Sequence, residues 1–262
     1  YDVVLDGREF DPPVSFALLR IIGHRKSGRH PSPEGRERRR DPFPGKEHLP
    51  EDPAKRPVVI IDPRAGHGPG IAGSKGDSQV GNALSEGHPV YFVVFYTEPS
   101  SGQTITDVHN SIGHFVEEVS RRHPQAEKPL IIGNCQAGWA TALLGADMPE
   151  STGPLVLNGA PMSFWASIKG WNPMSYRAGL LGGVWIASLM SDLGCGVFDG
   201  ANLVAGFEDL NPAHTWWTKQ YNLYANVDTE AERYLQFEKW WSGFFLLSDE
   251  EIHFIVDRLF VG

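Results

Sequence analysis

Two apolar, β-rich runs open the chain. YDVVLDG at residues 1–7 and VSFALLRII at residues 14–22 are separated by REFDPP, and proline cannot donate to a sheet ladder. The pattern predicts an antiparallel strand pair at a sheet edge within residues 1–22. Residues 23–57 are almost free of aliphatic side chains and rich in Pro, Gly and Arg. That composition predicts a flexible polar segment, because it buries too little apolar surface to offset its ordering entropy.

From residue 58 to residue 160, strand-like and helix-like patterns alternate. Short apolar runs predict four strands, at Val58–Asp62, Pro89–Tyr96, Pro129–Gly133 and Gly153–Gly159. Between them, the stretches SQVGNALSEG, TDVHNSIGHFVEEVSRR and QAGWATALLGA predict helices, the first capped by Ser78. This order predicts an α/β fold with a mostly parallel sheet flanked by helices. Reactive groups in such sheets gather at the carboxyl ends of the strands.

After residue 160 the pattern becomes helical and aromatic. Seven of the eight tryptophans lie from Trp165 onward. Helices are predicted for GLLGGVWIASLMSDLG, HTWWTKQYNLYANV, EAERYLQFEKWWSGFFLL and SDEEIHFIVDRLF, with no further strand. Residues 161–262 are therefore predicted to form a helical cap whose aromatic side chains bury a substrate or a partner. The alternative is a helical extension that merely packs on the sheet.

Composition narrows the class of protein. The 262 residues are 41% hydrophobic and carry a net charge of −9, which supports a sizeable core and argues against nucleic-acid binding. The arginines Arg36 and Arg38–Arg40 could form a local patch for a nucleic acid or an acidic partner, although a solvated flexible loop is the favoured interpretation. Two cysteines are too few for a disulfide scaffold. With no signal peptide and no apolar run of roughly 18 residues, the chain is predicted to be cytoplasmic without a membrane span.

The candidate chemistry centres on Cys135, in the sequence GNCQAG. Small residues two positions before and after a nucleophile are typical of a nucleophile elbow, a strained turn between a strand and a helix. The following helix would point its N-terminus at the sulfur and favour the thiolate. The N–H of Gln136 would face a developing oxyanion. The alternative is a structural cysteine, because free cysteine is among the most buried residue types.

A second oxyanion donor is predicted in the glycine-rich loop DPRAGHGPG, which follows the strand at Val58. Ala65 or Gly66 would supply this N–H. His67, in the same loop, could touch Cys135, but it is predicted to be a loop residue or a substrate contact. A phosphate-binding loop is the alternative, although the loop lacks a P-loop ending and a dinucleotide fingerprint. Neither a metal ligand set nor a cofactor is predicted.

A cysteine nucleophile also needs a histidine base oriented by a carboxylate. Downstream of Cys135 the histidines are His214 and His253. Neither lies in a loop after a predicted strand, so neither is expected to be the base. The chain also lacks an initiator Met and a polar tail. We therefore expect a piece of a longer protein, cut before the last strands of its sheet, with the acid and the base beyond Gly262.

The segments RPVVIIDPRAGHGPGIAGSKGDSQVGNALSEGHPVYFVVFY, KPLIIGNCQAGWA and GPLVLNGAPMSFW resemble a family of large bacterial proteins grouped with poly(3-hydroxyalkanoate) synthases. The resemblance implies an α/β-hydrolase fold with a Cys-His-Asp acyl-transfer site, and Cys135 as its nucleophile. It also implies a hydroxyacyl group received from a coenzyme A thioester. The Arg-rich segment departs from the family pattern.

These observations predict acyl transfer through Cys135, with a hydroxyacyl thioester or an oligoester as substrate. Two alternatives stay open. One is a non-catalytic binding module that uses the aromatic cap, and the other is a thioesterase or esterase. A homodimer is compatible with either.

Overall fold

The structure is a computed structural model that describes residues 1–23, 50–72, 78–163 and 184–261. Most of the predicted flexible segment lies outside the described residues, and so does the first part of the predicted cap. The division of the chain at residues 22, 57 and 160 stays a prediction.

Six strands form the central sheet in the spatial order β1-β2-β4-β3-β5-β6. Strands β1 and β2 pair antiparallel, and β2 pairs antiparallel with β4. The remaining neighbours, β4 with β3, β3 with β5 and β5 with β6, pair parallel. The strands are β1 (Asp2–Asp6), β2 (Phe16–Ile21), β3 (Val58–Ile61), β4 (Val90–Phe95), β5 (Leu130–Asn134) and β6 (Leu155–Asn158).

Three helices connect the parallel strands: α1 (Gln79–Ser85), α2 (Ile105–Arg122) and α3 (Ala137–Asp147). Ser78 caps α1 as predicted, since its side chain accepts from the N–H of Gly81. Helix α2 begins with a capping box between Thr104 and Asp107 and ends with two arginines, which complement its dipole.

Strand β3 is buried on both faces, and its residues alternate between two cores. Val59 and Ile61 belong to the core that also contains Val116 of α2, whereas Val58 and Ile60 pack in the core on the side of α1. This explains its unbroken β-branched run, which is typical of a central parallel strand. By contrast, β6 is an edge strand in the described sheet, with Val156 and Leu157 each 43% exposed.

Beyond the sheet, the chain forms helices α4 (Trp185–Leu193), α5 (Ala201–Glu208), α6 (Lys219–Ala225), α7 (Val227–Trp241) and α8 (Asp249–Phe254). Helices with π-type hydrogen bonding cover Ala213–Thr218 and Ile255–Val261.

The prediction of a purely helical region is wrong. Strand β7 (Val197–Asp199) pairs antiparallel with β8 (Leu246–Ser248), which follows the end of helix α7 at Trp241. These strands are three residues each, too short to show a period of two.

The β7–β8 pair is fastened to the sheet by a buried polar network. Arg64, after β3, forms an ion pair of 2.5 Å with Glu251 of α8. Gln103 donates to the other oxygen of Glu251 over 3.0 Å and accepts from the N–H of Ser15 over 2.6 Å. The network therefore joins the loops before β2, after β3 and after β4. In the described ranges, no helix is both long and apolar enough to span a membrane.

Candidate functional site

Cys135 occupies the turn between β5 and α3 with a φ of 49°. A positive φ is uncommon for a residue with a side chain and marks local backbone strain. The turn is held by backbone hydrogen bonds. The N–H of Cys135 donates to the carbonyl of Asn158 over 2.8 Å, and its own carbonyl accepts from the N–H of Gly138 over 2.9 Å. This strained strand-to-helix turn has the geometry predicted for a nucleophile elbow. The role of Cys135 as a nucleophile stays a prediction.

The glycines beside Cys135 are there because the turn has no room for a Cβ. A Cβ at Gly133 would clash with Oγ1 of Thr141 and lie 2.7 Å from the carbonyl oxygen of Ala137. A Cβ at Gly138 would clash with Cβ of Ala160. Both contacts are too short for real side chains, so α3 can lie this close to β5 only with glycine at these positions.

The electrostatics at the sulfur differ from the prediction. Burial raises the pKa of the Cys135 thiol, and a hydrogen bond from the N–H of Gln136 opposes this rise. The smaller, opposing effect is the thiolate stabilisation predicted for the helix N-terminus. Desolvation of the sulfur outweighs this hydrogen bond, so the pKa of the thiol lies above its ordinary value.

A network of side-chain hydrogen bonds, which the sequence analysis did not predict, holds Asn134, the residue before Cys135. Asn134 Nδ2 donates to Asp62 over 3.0 Å and to Gln79 Oε1 over 2.8 Å. Its Oδ1 accepts from Gln79 over 2.9 Å and from Asn158 over 3.0 Å. All the side-chain hydrogen-bonding positions of Asn134 are thus occupied. Asp62, Asn134 and Asn158 each lie at the end of one of three neighbouring strands. This pattern in the sequence could have predicted the network.

Asp62 links the elbow to the glycine-rich loop. Its carboxylate accepts from the N–H of Gly70 over 2.6 Å and from that of Ala72 over 3.3 Å. Burial raises the pKa of Asp62, while these N–H groups and Asn134 partly offset the rise. The loop therefore has a fixed conformation at its base.

The predicted oxyanion residues Ala65 and Gly66 lie in this loop, under the C-terminal region. Gly66 has a φ of 100°, and its carbonyl accepts from the N–H of Phe245 over 2.9 Å. A Cβ at Gly66 would clash with the carbonyl of Gly200. Ala65 is buried. Their role as oxyanion donors stays a prediction, as does that of Gln136.

His67 is 3% exposed and lies against two tryptophans of α7. Its ring centroid is 4.4 Å from that of Trp240 and 5.1 Å from that of Trp241. Its Nδ1 is 3.0 Å from the carbonyl oxygen of Gly68, which also accepts from Trp240 Nε1 over 2.9 Å. Burial lowers the pKa of His67, which favours the neutral ring. The contact with a substrate predicted for His67 stays a prediction.

Two further histidines considered as the base, His214 and His253, lie in the described C-terminal region. In the described part of the chain, no histidine forms a hydrogen bond with Cys135. His214 is exposed in the π-helical segment Ala213–Thr218. His253 lies within helix α8, as predicted, although that helix directly follows the unpredicted strand β8. The described residues contain no cluster of His, Cys, Asp or Glu arranged to hold a metal.

The strand order, the two antiparallel pairings at one edge and the strained cysteine after β5 define an α/β-hydrolase-type protein. This confirms the predicted fold class. The chain belongs to the family described as "Protein of unknown function (DUF3141)", whose sequence profile matches residues 1–262.

A curated relative from Rhizobium meliloti, described as an uncharacterized protein in the ackA 5′ region, is 52% identical over all 262 residues. The chain spans only 33% of the length of that relative.

Solved structures with similar folds were also found. One comes from work on carboxylesterases of the ammonia-oxidizing thaumarchaeon Nitrososphaera gargenis. It is 14% identical in sequence, and the match covers 67% of this chain and 54% of the other with a TM-score of 0.36. Another is an α/β fold family hydrolase from Bacillus anthracis, with 11% identity and a TM-score of 0.36 over 82% of this chain and 70% of the other.

Proposed function

We propose that Cys135 is the nucleophile of an acyl-transfer reaction on an ester or thioester. The observation that carries the proposal is the positive φ of Cys135, held between β5 and α3 by close contacts at Gly133 and Gly138. A strained backbone at this position is expected where function requires the side chain to project from the turn. Cys195 also has a positive φ, of 55°, but it lies in the turn between helix α4 and strand β7. The strain of Cys135 therefore supports the proposal because it falls at the carboxyl end of a central parallel strand, directly before a closely packed helix.

The reaction follows from the groups around the sulfur. The thiolate of Cys135 attacks the acyl carbonyl, the carbon–sulfur bond of a thioester substrate breaks, and the leaving thiol takes up a proton. The acyl group is then held as a thioester on Cys135. The N–H of Gln136, together with that of Ala65 or Gly66, would donate to the oxyanion formed during attack. The acyl group is then released by transfer to an acceptor. Transfer to a hydroxyl group defines a transferase, and transfer to water defines a hydrolase.

We infer that the acyl group is a hydroxyacyl unit or oligoester, carried by a thiol such as coenzyme A. The support is the resemblance of GNCQAG and its flanking segments to the polyhydroxyalkanoate synthase group. A thiolate is a good nucleophile for thioester exchange once it is deprotonated.

The base is proposed to lie in the part of the full-length protein outside this chain. Two observations support this: burial raises the pKa of the Cys135 thiol, and the chain spans only 33% of the Rhizobium relative. A histidine and a carboxylate from that part would deprotonate the thiol.

The test uses the full-length protein, incubated in parallel with 3-hydroxybutyryl coenzyme A and 3-hydroxydecanoyl coenzyme A, and analysed by intact-protein and peptide mass spectrometry. We expect a hydroxyacyl adduct from at least one of the two on the peptide that contains Cys135, together with release of free coenzyme A. Cys135→Ala should abolish both. Cys195→Ala is the matched control, because it removes the exposed cysteine and should leave both signals intact. Undiminished thiol release by Cys135→Ala would refute the proposal.

A non-catalytic binding module is the second candidate, and a specific surface favours it. Helix α6 and the π-helical segment before it expose large aromatic side chains, among them Trp216, Trp217, Tyr221 and Tyr224. Such a surface is typical of partner binding. If this candidate holds, the full-length protein forms no adduct on Cys135, and the thiol is alkylated only after unfolding.

A further inference from the structure

Two adjoining cavities lie between helices α2 and α3. The inner cavity has a volume of about 40 Å³ and the outer cavity about 340 Å³. They share part of their walls, since five residues line both: Ile105, Val108, Ile112, Trp139 and Ala140.

The lining residues show which cavity lies near Cys135 and which lies at the surface. Gln136 and Ala137 line the inner cavity, so this cavity lies beside the residues that follow Cys135. Leu143 and Phe254 line the outer cavity, and both are partly exposed at the surface. The two cavities therefore lie side by side, from Gln136 and Ala137 after the elbow to the partly exposed Leu143 and Phe254, and Trp139 lines both.

Trp139 lies at the junction and has an unsatisfied polar group. The residue is 8% exposed, and among the described residues nothing accepts a hydrogen bond from its indole N–H. Buried N–H groups are almost always paired, so one beside a cavity points to a ligand that brings an acceptor. An ester or thioester carbonyl is such an acceptor.

The shape and polarity of the two cavities restrict the ligand further. The inner cavity holds only about three water-sized volumes, which admits a linear chain and excludes a ring system. The polar groups of the outer cavity lie at Thr106, His109 and Asp147, and His109 pairs with Asp147 across 3.0 Å between the two helices. The remaining lining of the outer cavity is apolar, whereas Asp62, Arg64, Gln136 and Glu251 also line the inner cavity, where Arg64 and Glu251 are paired with each other.

We propose that these two cavities, together named here the α2–α3 cleft, bind the alkyl part of an acyl chain, with the indole N–H of Trp139 donating to a carbonyl oxygen of that chain. The cleft rests on the proposed function for its role, since it would hold the chain that Cys135 carries. The outer volume lies at the low end of the range of roughly 300–1,000 Å³ for small-molecule sites, which fits a medium-length chain.

The test measures binding of decanoate to the full-length protein by isothermal titration calorimetry, in a Cys135→Ala background that removes the thiol chemistry. Leu143→Arg places a charge at the mouth and should weaken binding about tenfold or more. Trp139→Phe keeps an aromatic ring, removes the N–H and should weaken binding about threefold. Butyrate is too short to fill the cleft and should bind more weakly than decanoate.

Leu189→Arg is the matched control. Leu189 is 43% exposed on helix α4, and Leu143 is 41% exposed on α3, so both changes place a charge on a half-exposed helical leucine. Leu189→Arg should bind decanoate about as tightly as the parent. Equal affinity of Leu143→Arg and Leu189→Arg would overturn the proposal.

A photoreactive decanoate with a terminal diazirine provides a measurement that does not depend on folding of the variants. Crosslinks should map to peptides of α2, α3 or α8, and crosslinks confined to other peptides would contradict the cleft. The outcomes also separate the two proposals. Decanoate binding that is sensitive to Leu143→Arg, without any acyl adduct on Cys135, would leave the cleft standing and refute the nucleophile. An adduct on Cys135, with decanoate binding insensitive to Leu143→Arg, would support the nucleophile and refute the cleft.

Discussion

Asn134 Nδ2 donates to Asp62 Oδ1 over 3.0 Å, so the residue before Cys135 is bonded directly to the residue after β3. Asp62 in turn holds the N–H groups of Gly70 and Ala72. The elbow and the glycine-rich loop, which the proposed function requires to be aligned with each other, are therefore joined by one buried pair of side chains.

Replacing Asn134 tests this linkage. Asn134→Ala leaves Asp62, Gln79 and Asn158 with fewer hydrogen bonds in a buried site, so the free energy of unfolding should fall by about 2–3 kcal/mol. Urea denaturation measures the change. Asn222→Ala, at an exposed position of α6, should change it by less than about 0.5 kcal/mol. Equal effects of the two substitutions would contradict the assigned role of Asn134.

The close approach of α3 to β5 predicts that Gly133→Ala is harmful. The added Cβ meets Thr141 and Ala137, so the free energy of unfolding should fall by about 1–3 kcal/mol, and alkylation of Cys135 should change in rate. Gly206→Ala is the control, because nothing lies within 4 Å of its Cβ position on helix α5. There alanine should be neutral or stabilising by up to about 1 kcal/mol. A Gly133→Ala protein as stable as Gly206→Ala would show that the crowding at Gly133 has no energetic consequence.

Burial of His67 predicts a pH dependence of stability. Burial lowers the pKa of His67 below its ordinary 6.5. As the pH falls below about 6.5, the unfolded chain takes up a proton that the folded chain does not, so stability is lost over this window. His67→Asn should therefore lose less stability than the parent when the pH is lowered from about 7.5 to about 5.5, as measured by urea denaturation at both values.

His114→Asn removes a surface histidine and serves as the control for this pH dependence. It should retain the full loss of stability shown by the parent. A His67→Asn protein with the same loss as His114→Asn would mean that His67 takes up its proton equally in the folded and unfolded chains.

The ion pair between Arg64 and Glu251 predicts a large effect of one conservative change. Glu251→Gln leaves the Arg64 charge buried without its partner, which should lower the free energy of unfolding by about 3–5 kcal/mol. Glu250→Gln, at the neighbouring exposed position, should change it by less than about 0.5 kcal/mol. Urea denaturation of both variants measures the two changes in the free energy of unfolding. Similar stability of the two would show that the network does not fasten the C-terminal region to the sheet.

The sequence by itself determined the elements whose patterns are local. The unbroken apolar runs of β3 and β4 identify central strands, because both faces of these strands are covered. The small residues around Cys135 identify the elbow, because a sharp turn against a helix excludes larger side chains. Order along the chain then sufficed for the fold class.

Only the tertiary structure decided which distant groups meet. The pairing of β7 with β8, the bonds of Asn134 and the position of His67 against Trp240 join segments far apart in the chain. The thiol pKa of Cys135 also depends on burial by such segments, which outweighs the local N–H of Gln136. Periodicity reports only which face of an element is apolar, whereas desolvation and hydrogen bonding depend on what packs against that face.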